Sequence, residues 1–149
     1  GRDGKVFNCL KFRTMRPPRA SDADFQLKPG DAPGGVEGVD RRTKIGKIMR
    51  ATSMDELPQV INVIKGDASI VGPRPELPEM IPHYRPSDLV KFRVKPGLTC
   101  LAACTGRNTL TIDAQIRADV EYVAGQSFKL DLRIILQTAR TIVQSIGAV

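Results

Sequence analysis

Residues 51–67 read ATSMDELPQVINVIKGD, and the organisation of the chain follows from how this stretch folds. Ser53 and Glu56 have the S-x-x-E spacing of a capping box. Leu57, Val60, Ile61 and Ile64 then recur at helical spacing, and Gly66 is well placed to end the helix. Pro58 falls just past the first turn, where it deletes one backbone hydrogen bond and bends the start. If the apolar stripe faces inward, Asp55, Gln59 and Asn62 share the exposed face. Immediately upstream, Arg41–Arg50 (RRTKIGKIMR) suits a short basic helix or turn with Ile45 and Ile48 inward.

Working outward, the chain is turn-rich before two further helices. Residues 68–79 (ASIVGPRPELPE) cannot stay regular beyond Val71, because three prolines follow Gly72 closely; they form a stiff extended loop carrying Arg74. Residues 93–101 mix β-formers with a Pro-Gly turn. Helices follow over about 112–124, with Ile112, Ile116, Val120 and Val123 on one stripe, and about 128–146, with Leu132, Ile135, Leu136, Ala139, Ile142, Val143 and Ile146. Upstream, residues 16–40 are rich in proline and glycine and read as a long loop. Residues 6–15 (VFNCLKFRTM) read as a strand with Lys11 and Arg13 on one face and Leu10 and Phe12 on the other. Asp3-Gly4 is a hairpin turn pair. Such a turn joins two strands, and the first would precede Gly1, so the chain is expected to be a fragment. The expected fold is α+β: one mostly helical domain over residues 1–149, with a small antiparallel sheet or hairpin and long irregular loops.

Composition narrows the function. The chain has 149 residues, enough for one self-supporting core. Residues 1–50 hold twelve Lys/Arg against six Asp/Glu, so +6 of the +7 net charge lies there. Such a surface attracts phosphates, nucleic acid or anionic lipid, and a solvated basic face would look the same. Cys9, Cys100 and Cys104 form no CxxC pair, which points to a reducing compartment. With His83 they match no usual zinc spacing. No run approaches the roughly 18–20 apolar residues of a membrane span.

Several residues could carry chemistry. Adjacent acids at a helix start, Asp55 and Glu56, sit where free N–H groups and the helix dipole favour anions and phosphates. Asp55 is placed to be a nucleophile toward phosphorus and Glu56 to hold Mg²⁺; ordinary acidic capping gives the same pattern. Pro73 and Pro75 restrict Arg74, which then presents its guanidinium to a phosphate at low entropic cost or simply lies on a rigid connector. Lys11 and Arg13 would add charge for a diphosphate, or line a surface strand. Asp119 and Tyr122 have the spacing of a surface pair.

In chain order the motifs resemble the bacterial sugar transferases, the monotopic polyprenyl-phosphate phosphoglycosyl transferases. The matching stretches are GRDGKVF (1–7), KFRTM (11–15), RATSMDELPQ (50–59), NVIKGD (62–67), SIVGPRPE (69–76), KPGLT (95–99), Gly106-Arg107-Asn108, DVEY (119–122) and SFKLD (127–131). Each is weak alone; together they span the chain and are specific. The resemblance implies that Asp55 attacks the β-phosphorus of a UDP-sugar, expels UMP and forms an aspartyl phospho-sugar, which a polyprenyl phosphate then attacks. It implies Mg²⁺ at Glu56, nucleotide binding by Pro73, Arg74 and Pro75, and Lys11 near the diphosphate, with looser roles for Asp67, Arg107 and Asp119; Arg13 stays a substrate contact on charge alone. It also implies a re-entrant membrane helix before Gly1, at the cytoplasmic face of a bacterial inner membrane. Two positions depart from the family pattern: Cys100 stands for a glycine and Ala103 for a glutamine, which bears on sugar preference. The competing expectation is a non-catalytic basic module for RNA or anionic membrane. Single-strand binding wants exposed aromatics, and this chain has no Trp, two Tyr and five Phe.

Overall fold

The computed structural model describes residues 1–17, 19, 40–105 and 110–146. Most of the proline- and glycine-rich stretch of 16–40, and Arg107 with its neighbours Gly106 and Asn108, lie outside the described residues. The chain is mostly helical with one small sheet, the expected α+β class. α1 (Lys44–Ala51) is capped by the Thr43 side chain, which accepts from the Gly46 N–H. A 3₁₀ turn, Met54–Glu56, leads into α2 (Gln59–Ile64). β1 (Ser69–Val71) and β2 (Gly97–Thr99) form the sheet. Two 3₁₀ segments, Pro78–His83 and Pro86–Arg93, lie between them. α3 (Leu101–Thr105), α4 (Ile112–Gly125) and α5 (Phe128–Ile146) complete the order.

The sheet corrects one expectation: β1 and β2 run parallel, with Ser69 opposite Gly97 and Val71 opposite Thr99. Antiparallel partners need only a short turn, whereas parallel ones need a long crossover; residues 72–96 supply it. The strands approach so closely at Gly72 and Gly97 that a Cβ on either would collide with the other's backbone.

The N-terminal stretch is a second correction. Asp3 (φ 54°) and Gly4 (φ 76°) make the mirror-image turn that Asp-Gly favours, closed by Lys5 N–H donating to Arg2 O at 3.1 Å. Among the described residues, however, residues 6–14 join no ladder, and an isolated antiparallel bridge links Met15 to Arg42. The amide of Asn62 takes a strand's place, accepting from Leu10 N–H at 3.0 Å and donating to Asn8 O at 2.9 Å.

The third correction concerns what faces inward. Gln59 and Asn62 are buried, while Leu57, Val60, Ile61 and Ile64 are exposed, as are Ile45 and Ile48 of α1. On α5 the fully buried residue is Ile134, and Leu132, Ile135, Leu136 and Val143 lie outward. Asp119 and Tyr122, spaced like a surface pair, are both buried. The apolar core is small: Val71, Tyr122 and Ile134, flanked by Leu101, Cys104, Val123 and Leu130. Tyr122 roots it, its hydroxyl donating to Asp131 at 2.8 Å and lying 3.4 Å from Val71 O.

Candidate active site

The helix expected to start at Ser53 starts later. Ser53 adopts φ 58°, ψ 17°, the left-handed region, and its side chain makes no capping hydrogen bond. A non-glycine residue there costs on the order of 1–3 kcal/mol and persists only where its surroundings enforce it. The reversal lifts Asp55 and Glu56 out of helical register into the tight Met54–Glu56 turn, and α2 begins only beyond Pro58, which has no N–H to lose.

The turn faces the extended N-terminal stretch. Phe12 N–H donates to Asp55 O at 2.9 Å, which brings Lys11 alongside, and its ammonium donates to Glu56 Oε1 at 2.8 Å. Both side chains are partly exposed, so the pair adds little stability; its interest is placement. Asp55 is half-buried. Burial pushes its carboxyl above the ordinary aspartate value and the Glu56 charge pushes the same way, while Lys11 and Arg50 pull against them. A carboxylate held back from water beside a lysine suits a nucleophile that meets a negatively charged electrophile.

Gly72-Pro73-Arg74-Pro75 follows β1 directly. It is tied at two points: Gly97 N–H donates to Pro73 O at 2.9 Å, and Arg74 N–H donates to Asp119 Oδ1 at 3.2 Å. The Cys9 thiol, pushed up by burial, also feels the charges of Lys11, Glu56 and Arg74.

Asp55, Glu56 and Lys11 thus come together directly, while Pro73, Arg74 and Pro75 lie on the loop held by Gly97 and Asp119. Arg13 is exposed on the Lys11 segment. Asp119 is 1% exposed and turned into the protein, its carboxylate holding the Arg74 backbone. Cys100 is buried, outside the left-handed region, with its thiol pushed up to about 11 by burial; a cysteine is therefore compatible with the backbone at this position. Sequence reasoning missed Asn62 and Lys91. The signal for Asn62 was a lone amide among Val and Ile in a helix; for Lys91, in PSDLVKFR, no local pattern marked it.

Among the described residues no three His, Cys, Asp or Glu groups gather into a metal cage. Two neighbouring carboxylates still suit Mg²⁺, which binds through one or two acids plus substrate phosphates and keeps several waters. No helix among the described residues is long and apolar enough to cross a membrane.

The family model described as bacterial sugar transferase matches residues 1–145. The chain belongs to the bacterial sugar transferase family. It is therefore an enzyme, a transferase, which sets aside the non-catalytic basic module. Among similar sugar transferases is the uncharacterized sugar transferase EpsL of Bacillus subtilis, 42% identical over 147 residues, 99% of this chain and 68% of the relative. The undecaprenyl-phosphate galactose phosphotransferase of Salmonella typhimurium is 35% identical over 164 residues, 99% of this chain and 33% of the relative. The UDP-glucose:undecaprenyl-phosphate glucose-1-phosphate transferase of Caulobacter vibrioides is 36% identical over 156 residues, 99% of this chain and 55% of the relative. The chain thus spans between a third and about two thirds of these sugar transferases.

Proposed function

We propose that the chain transfers a sugar 1-phosphate from a UDP-sugar to polyprenyl (undecaprenyl) phosphate at the cytoplasmic face of a bacterial inner membrane, initiating a glycoconjugate or exopolysaccharide. The relatives named for undecaprenyl phosphate support the substrate class. The observation that carries the chemistry is the half-buried Asp55 beside the Lys11–Glu56 pair.

In the first step an Asp55 carboxylate oxygen attacks the β-phosphorus. The Asp55 O–P bond forms, the bridging P–O bond breaks, and UMP leaves with the electron pair. In the second, an oxygen of polyprenyl phosphate attacks the same phosphorus and Asp55 leaves, regenerating the carboxylate and giving the polyprenyl diphosphate sugar. Lys11 and Arg74 offset the diphosphate charge and orient it, which is most of what phosphoryl transfer asks of a protein. Glu56, with Asp55 adjacent, would hold Mg²⁺, which supplies charge neutralisation at the diphosphate when bound. The outward apolar residues of α1, α2 and α5 support attachment to a membrane surface, where the acceptor's phosphate resides.

The test is turnover and UMP release by the Asp55→Asn variant of the full-length protein with a panel of UDP-sugars. Loss of both with the fold intact is expected. Substantial turnover by the Asn variant, after excluding deamidation, would remove the covalent mechanism.

A further inference from the structure

Lys91, in the last turn of the Pro86–Arg93 segment, is buried with its side chain 1% exposed. Its three N–H donors are all taken. Nζ lies 2.6 Å from Asp119 Oδ2, 3.2 Å from Glu76 Oε1 and 3.3 Å from the Tyr84 hydroxyl. The Tyr84 and Phe92 rings wall the ammonium at 5.2 and 5.8 Å. The other oxygen of Asp119 is the one that accepts from Arg74 N–H. One ammonium thus holds the Pro-Arg-Pro loop at two places two residues apart: at Glu76 directly, and at Arg74 through Asp119.

Stability does not explain such a cluster. Taking an ammonium and carboxylates out of water costs about as much as their attraction returns, and apolar side chains of the same volume usually serve a core as well or better. What a fully bonded charged cluster supplies is a fixed geometry. The group is also no pH switch. Burial alone would lower the ammonium's pKa, but the Asp119 and Glu76 carboxylates outweigh it and leave it raised, so Lys91 keeps its charge through the neutral range.

We propose that Lys91 is a positioning residue: acting through Asp119 and Glu76, it sets the conformation of the Pro-Arg-Pro loop and so aims Arg74 at the nucleotide diphosphate. This rests on the nucleotide-binding reading of Arg74 above.

The experiment is a double-mutant cycle of Lys91→Met and Arg74→Ala in the full-length enzyme, with KM for the UDP-sugar and kcat measured separately. Lys91→Met should raise KM roughly tenfold, a coupling of the size seen within one side-chain network, and leave kcat within about twofold. In the Arg74→Ala background it should add almost nothing, and Lys91→Arg, which keeps the charge, should recover part of the affinity. If Lys91→Met does not fold, Lys91→Met with Asp119→Asn removes charges of both signs together and serves in the same cycle. Full multiplication of the two effects, or a lowered melting temperature with KM unchanged, would overturn the proposal while leaving Arg74's role intact. An Arg74→Ala variant with wild-type KM would instead overturn the nucleotide-binding reading, and the Lys91 proposal with it.

Discussion

Asp55 sits where its charge is disfavoured, and both its pH behaviour and its effect on stability follow. Its pKa is raised, by burial first and by Glu56 second, so the acid limb of kcat/KM should lie above that of an ordinary aspartate. Glu56→Gln removes a like charge and should move the limb down in any variant activity that survives; Lys11→Met removes an opposing one and should move it up. Movement in the opposite directions would show that another group titrates in the limb. For stability, a carboxyl whose folded pKa exceeds its unfolded one binds its proton more tightly when folded. Ionisation therefore costs stability, fully above the folded pKa and not at all below the unfolded value, about 4. Asp55→Asn should raise the melting temperature at pH 7, with the gain shrinking toward pH 3. Lys11 carries a prediction too, since it occupies Glu56 at 2.8 Å. Without nucleotide, Lys11→Met should bind Mg²⁺ more tightly than the parent because a competitor is gone. With UDP present it should bind the metal–nucleotide pair more weakly, because the lysine's charge at the diphosphate is lost. Calorimetric titration with and without UDP reads both.

At the scale of elements, α2 matters through a single side chain. Asn62 is 2% exposed, and its amide pairs Asn8 O and Leu10 N–H as a neighbouring strand would. Asn62→Leu, similar in branching, removes both bonds and leaves the partly buried Leu10 N–H without its acceptor. It should cost about 1–3 kcal/mol in denaturant unfolding and speed amide exchange at Leu10. Unchanged exchange there would mean that the segment is held by something else. The same helix shows how far the sequence could be read. The capping-box spacing of Ser53 and Glu56 does not deliver a cap, because Ser53 turns left-handed, while the caps that form, Thr43 on α1 and Thr111 on α4, lie at helix starts that the periodicity placed only roughly. Asp55, Glu56, Lys11 and the Pro-Arg-Pro loop were singled out by short motifs instead. Periodicity also found the helices, but it gives the angle of an apolar stripe, not what covers it. The stripe of Leu57, Val60, Ile61 and Ile64 reads as inward, whereas the partners that decide the matter, Asn8 and Leu10, lie more than fifty residues away in the chain. The Lys91 cluster was hidden likewise, its groups coming from three separate segments.

For the whole molecule, the outward stripes of α1, α2 and α5 predict membrane affinity that is only partly electrostatic. Co-sedimentation with anionic vesicles should fall at high salt but not vanish, and Ile61→Ser with Ile64→Ser should remove much of the salt-resistant part. Complete release by salt would assign all binding to the basic N-terminal third. The interior has a different consequence. Among the described residues, buried Thr14, Thr52, Gln59, Asn62, Lys91 and Asp119 stand beside an apolar cluster built on Val71, Tyr122 and Ile134. Unfolding hydrates both kinds of group, and they act on the heat capacity with opposite sign: apolar surface raises it, polar surface lowers it. Scanning calorimetry should therefore return a heat-capacity increment below the usual 12–15 cal/mol/K per residue, roughly. The stability of this fold would then bend less with temperature than its size alone suggests, resisting cold as well as moderate heat.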